Sequence, residues 1–214
     1  MPTGTPRPLW NKFDDPFDCP KCLAVPAKCF YARDYVSRGG YKASEANNLV
    51  GNFKIEPRYS GTPRWRHKRS AANQFATELS SLLPDGISVA AISPCKTVDH
   101  EEYDPRFDFM FERLETLRPD ISVCAPIIRS VSVEPAHKSK HRPSTDEILE
   151  SLEYVGFDGD APPRVALIDD LITTGKHFMA CRQLLQETEP EIAVFGVFWA
   201  RVIWSDPAGA SETA

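Results

Sequence analysis

The sequence predicts an α/β fold in which a largely parallel sheet is covered by helices on both faces. Apolar runs of buried-strand length recur at ISVAAIS (Ile87 to Ser93), ISVCAPII (Ile121 to Ile128), RVALI (Arg164 to Ile168) and EIAVFGVFWARVI (Glu191 to Ile203). Stripes with helical spacing stand between most of these runs, and Pro-rich turns punctuate them. In such sheets ligands bind beyond the carboxyl ends of the strands. That directs attention to Ser93 to Lys96, Pro126 to Arg129 and Asp169 to His177.

Residues 1–46 read as an irregular N-terminal module, rich in Pro, Asp and a Gly-Gly pair, ahead of a main domain at 47–214. Asn48 to Ile55 reads as a short strand or the end of a helix. In SAANQFATELSSLL, Phe75, Leu79, Leu82 and Leu83 form a helical stripe that Pro84-Asp85-Gly86 closes as a turn. Asp104-Pro105 opens a helix as N-cap and first residue, with Phe107, Met110, Phe111, Leu114 and Leu117 on its apolar side. After ISVCAPII a long polar loop ends where Ser144 and Glu147 form a capping box for a helix to about Tyr154. RVALI is then a strand, GKHFMACRQLLQ a helix and EIAVFGVFWARVI the last strand.

The chain has 214 residues, a net charge of −5, 42% hydrophobic and 26% charged residues, which fits one globular domain with room for a small appendage. A fibre or a disordered tail is excluded. No run approaches the roughly 18 apolar residues of a membrane span, and Met1 to Asp15 lacks an apolar signal core, so a cytoplasmic address without membrane contact is expected. Mild acidity argues against a dedicated nucleic-acid coat protein.

Six cysteines are too few for a disulfide scaffold, so reduced thiols are expected. Cys19 and Cys22 in CPKCLAVPAKC have the two-residue spacing that lets both sulfurs face one Zn2+, with Cys29 as a third ligand and His67 or Asp18 as a fourth from the fold. The alternative is a proline turn with incidental thiols. Cys124 and Cys181 fall on predicted core elements and read as packing residues.

The strongest signal is RVALIDDLITTGKHF, Arg164 to Phe178. An apolar strand runs into Asp169 and Asp170 and then into a Thr-Thr-Gly turn that opens a helix. Unpaired N–H groups and the positive dipole end of that helix suit a phosphate at Thr173, Thr174, Gly175, Lys176 and His177. Gly175 lets the backbone approach closely. The two carboxylates suit a pair of ribose hydroxyls, or a Mg2+ that keeps most of its water. A bare acid pair capping the helix is the competing explanation.

The segment resembles the phosphoribosyl-pyrophosphate (PRPP) signature of type I phosphoribosyltransferases, and the order of elements is closest to the ComF-like branch associated with DNA uptake. The likeness rests on the cysteine cluster, Phe53-Lys54 with Tyr59-Ser60-Gly61, and Ile168 to Gly175. It implies a type I phosphoribosyltransferase fold, and Mg2+-bound PRPP whose ribose 5-phosphate passes to a nucleobase-like acceptor with release of pyrophosphate. Asp169 and Asp170 would fix the ribose, a pyrophosphate loop would fall at Ser93, Pro94, Cys95 and Lys96, and a homodimer would be the commonest assembly.

The chain departs from that pattern at Ala32, where a second cysteine pair would close, and at His177, where Thr or Ser is usual. Thr173 stands where hypoxanthine and guanine salvage enzymes place an Asp, which disfavours that reaction.

Arg129, His137, Lys138, Lys140, His141 and Arg142 form either a loop that closes over a diphosphate or a solvated basic segment. Arg58, Arg64, Arg66, Lys68 and Arg69, interleaved with Tyr59 and Trp65, suit either single-stranded nucleic acid or a solvated face. Trp199 and Trp204 read as core or interface aromatics. A non-catalytic accessory factor that binds PRPP, a nucleotide or single-stranded DNA is the second functional class, because fold and ligand do not establish turnover.

Overall fold

The computed structural model describes residues 10–13, 28–92, 104–129 and 143–204. In chain order these form β1 (Asn11–Lys12), β2 (Cys29–Val36), α1 (Glu45–Phe53), a 3-10 turn (Pro57–Tyr59), α2 (Trp65–Leu82), β3 (Ser88–Ala91) and α3 (Arg106–Leu117). There follow β4 (Ser122–Val123), β5 (Ile127–Arg129), α4 (Thr145–Glu150), β6 (Leu152–Tyr154), β7 (Arg164–Ile172), α5 (Lys176–Thr188) and β8 (Ala193–Ile203). The main sheet has the order β1-β2-β8-β7-β3-β4 and is parallel apart from β1. Helices α1, α2 and α3 enclose one apolar core against it, and α5 with α4 and the antiparallel β5-β6 pair encloses the other. The expected α/β architecture, with a mostly parallel sheet flanked by helices, is present.

Several elements differ from their local signals. Cys29–Val36, inside the stretch read as irregular, is a strand paired in parallel with β8. Its apolar pattern is interrupted by Arg33 and Asp34, and the half-buried Arg33 is held by Glu78 on α2, which accepts both of its terminal N–H groups at 2.7 and 2.6 Å, and by Glu45 at 3.3 Å. Of the two readings of Asn48 to Ile55, the end of a helix holds: α1 starts at Glu45 under a Ser44 cap whose hydroxyl accepts from the Asn47 N–H, and it stops at Phe53.

ISVCAPII is not one strand. β4 stops at Val123, and β5 starts after Pro126, which has no N–H to continue a ladder, and pairs with β6 instead. The capping box at Ser144 and Glu147 is formed, but its helix ends at Glu150 and β6 takes Leu152–Tyr154. At α3 the helix begins one residue later than expected, with the Asp104 carboxylate accepting from the Arg106 N–H at 3.1 Å.

The core is anchored by Trp199, which stacks on Phe75 at 4.6 Å and donates its indole N–H to Glu78 at 2.6 Å. Trp204 is 59% exposed and lies outside that core. On β8, Gly196 makes a close approach possible: a Cβ there would fall 2.8–2.9 Å from Phe198, the Cys29 sulfur and Phe178. Cys29 is thus buried beneath α5, whereas Cys19 and Cys22 lie outside the described residues. No helix among the described residues is long and apolar enough to cross a membrane.

Candidate functional site

β7 delivers the site. Its apolar residues Val165 to Ile168 are fully buried, and the strand continues four residues past the expected end, through both carboxylates to Ile172. Thr173 and Thr174 then turn the chain, and Gly175, at φ 78° and ψ 0°, takes the left-handed conformation at the N-cap of α5. No side chain among the described residues caps this helix. Its first N–H groups, which have no partners inside a helix, therefore face a pocket lined by Asp169, Leu171, Ile172, Thr173 to Phe178 and Phe198.

The sequence-predicted residues divide within this frame. Thr173, Thr174, Gly175 and His177 line the pocket. Lys176 lines it too, but its ammonium donates to the Pro143 carbonyl at 2.7 Å. His177 is held down to about pKa 4, first by burial and then by the positive charge of Arg129 at the end of β5. It is a neutral donor at physiological pH. Ser93, Cys95 and Lys96, and the basic run from His137 to Arg142, lie outside the described residues.

The acid pair is split by the pleat, because successive residues of a strand point to opposite faces. Asp169 lines the pocket at α5, and its Oδ1 accepts from the Asp170 N–H at 2.8 Å. Asp170 points the other way. Its Oδ1 lies 3.0 Å from Lys54 Nζ, just past α1, and its Oδ2 lies 3.7 Å from Arg106 Nε on α3. Burial, followed by the neighbouring Asp170 charge, raises the Asp169 pKa to about 7. For Asp170 burial works the same way, but the charges of Lys54 and Arg106 outweigh it and hold the carboxyl below its ordinary value. Two carboxylates on opposite faces, one of them committed to two cations, do not make a chelate for one Mg2+. Among the described residues no group of three or more His, Cys, Asp or Glu side chains could hold a metal ion.

Lys54 and Arg106 are the site residues that sequence reasoning does not assign. Lys54 enters it only as part of the connecting element, and nothing local marks Arg106. The lysine is placed with care. Lys68, fully buried, donates to the carbonyls of Phe53 and Ile55 at 2.8 and 2.9 Å and lies 2.6 Å from Asp104 Oδ1.

Cys124 and Cys181 are packing residues as expected: burial pushes their thiols up to about 11 and 12, and they donate to the carbonyls of Val89 and Ile92. Around the start of α2, the guanidinium groups of Arg58 and Arg64 lie 5.2 and 4.4 Å from the Tyr59 ring, and Arg69 lies 4.5 Å from Phe109, whose ring meets Trp65 edge-on.

No family model matches this chain, and no curated protein matches it. Among solved structures, it is similar to a hypoxanthine phosphoribosyltransferase from Staphylococcus aureus, with a TM-score of 0.37 and 11% identity over 64% of this chain and 76% of that one. It is also similar to a xanthine-guanine-hypoxanthine phosphoribosyltransferase from Helicobacter pylori, with a TM-score of 0.36 and 8% identity over 68% of this chain and 90% of that one.

Proposed function

We propose that the chain binds PRPP and transfers its ribose 5-phosphate to a nitrogenous base, releasing pyrophosphate. The observation that carries this reading is the junction of β7 and α5, where a carboxylate and an uncapped helix start at a left-handed glycine line one pocket. The 5-phosphate would sit on the first N–H groups of α5 with hydroxyl donors from Thr173 and Thr174. Neutral His177 adds a donor without a charge. Asp169 accepts from the ribose hydroxyls, which orients C1 for displacement.

As the C1–O bond breaks, its electron pair leaves with the diphosphate and the ribose passes through an oxocarbenium-like state of the kind glycosidases use. A base nitrogen then forms the new C1–N bond, and its proton passes to the departing diphosphate. Mg2+ bound to the diphosphate, rather than caged by this chain, would neutralise the leaving group. Thr173 offers no carboxylate to the incoming base, so the acceptor is not one that needs an Asp at that position.

Incubation with PRPP, Mg2+ and a panel of purine and pyrimidine bases should give base-dependent pyrophosphate release. If PRPP binds but no base triggers release, the transferase reading fails and a non-catalytic binding protein remains.

The basic and aromatic surface of Arg58, Tyr59, Arg64, Trp65 and Arg69 favours a second reading, in which the chain also holds single-stranded DNA. Stacking rings beside guanidinium groups suit bases and phosphates together. Anisotropy titration of a labelled oligo-dT should show affinity falling with salt. Arg64→Glu/Arg69→Glu should weaken binding at least tenfold and flatten the salt slope by about 0.7 for each phosphate no longer neutralised. Equal binding by both proteins would remove this reading.

A further inference from the structure

We infer that Lys54 is a ligand-binding residue, the second anion pole of the site, which receives the diphosphate end of a sugar carrying anionic groups at both ends. The inference rests on the PRPP reading and adds a residue to it. Its grounds lie on the face of β7 opposite the α5 pocket.

In the cluster around Asp170, three cations, Lys54, Lys68 and Arg106, meet the carboxylates of Asp104 and Asp170. Lys68 and Asp104 are enclosed, and Asp170 has only 3% of its side chain exposed; Lys54 is the cation of the three that reaches furthest into solvent, with 39% exposed. Asp170 Oδ2 is buried and accepts no hydrogen bond among the described residues, so this carboxylate is held as a charge rather than as a saturated acceptor.

The backbone around Lys54 is unusually fixed. One buried ammonium, Lys68, ties the carbonyls immediately before and after it, and Phe53 is locked into a ring cluster with Phe75, Phe107 and Trp199. A lysine that only decorated the surface would need none of this. With its backbone clamped and its tip drawn by Asp170 to the end of β7, Lys54 stands as a preorganised cation across the strand end from the helix start. A sugar lying over the end of β7 would thus present one phosphate to α5 and the other to Lys54. Asp170 is the positioning residue of this pair.

Calorimetric titrations of PRPP, ribose 5-phosphate and inorganic pyrophosphate into the native chain, Lys54→Met and Lys54→Arg distinguish this role from a structural one. Lys54→Met should bind PRPP and pyrophosphate about tenfold or more weakly, the equivalent of about 1.4 kcal/mol, while ribose 5-phosphate changes less than about twofold. Lys54→Arg should restore much of the loss. Equal weakening of ribose 5-phosphate and PRPP would mean that Lys54 only supports the fold, and unchanged pyrophosphate affinity would overturn the second pole. If the native chain binds pyrophosphate through Lys54 but ignores PRPP and ribose 5-phosphate, the pole stands and the PRPP reading falls. If it binds none of the three, both fall.

Discussion

Replacing Lys68 with methionine should lower the unfolding free energy by about 3–5 kcal/mol, the range for breaking a buried ion pair by removing one partner. Methionine preserves most of the volume, so the loss is electrostatic rather than a cavity. The ammonium satisfies three acceptors at once, the Phe53 and Ile55 carbonyls and the Asp104 carboxylate, all on buried residues. Urea unfolding followed by tryptophan fluorescence measures the change, and a loss below about 1 kcal/mol would show that the cluster is not a stabilising unit. Removing both charges, as Lys68→Met/Asp104→Asn, should recover part of the deficit, because no unpaired carboxylate then remains.

The second expected result is a conflict between stability and binding at Asp169. Its pKa in the folded chain lies near 7, above the ordinary 3.8, so the folded state holds a proton that the unfolded chain has released. The contribution of that proton is fully present below about pH 4, declines between about pH 4 and 7, and is gone above. Asp169→Asn imitates the neutral form at every pH. The variant should therefore be more stable than the native chain at pH 8 by at least about 1.4 kcal/mol, the equivalent of one pKa unit, with the difference vanishing near pH 4.

Binding should move the other way. Losing a charged acceptor for ribose hydroxyls costs about 1.5–3 kcal/mol, so PRPP affinity should fall about 10- to 100-fold. Thermal melts from pH 4 to 8, paired with calorimetry, check both. An Asn variant that is no more stable at pH 8, or that binds PRPP as tightly as the native chain, would refute the assignment.

The sequence reveals what is contiguous and hides what is assembled. The acid pair, the Thr-Thr-Gly turn and α5 can be read because strand, turn and helix start follow one another within a few residues. The Ser144 and Glu147 box is legible for the same reason. β2 is not, since Arg33 and Asp34 break its apolar pattern and are accommodated by distant partners, Glu78 on α2 and Arg201 on β8 among them. The division of labour between Asp169 and Asp170 depends on Lys54 and Arg106, which enter from α1 and α3 through tertiary packing, where local periodicity carries no signal.

The position of β2 also governs how the chain can fold. This strand comes early in the sequence, yet its partner in the parallel ladder is β8, the last strand, from Cys29 opposite Gly196 to Val36 opposite Ile203. During synthesis β2 must wait until almost every later element has been made, and β7 also lacks its β8 partner until then. Pairing so remote in sequence pays its loop-closure entropy late and slows folding. Chains interrupted before residue 193 would expose the bare edges of β2 and β7, the kind of surface on which unfinished sheets aggregate.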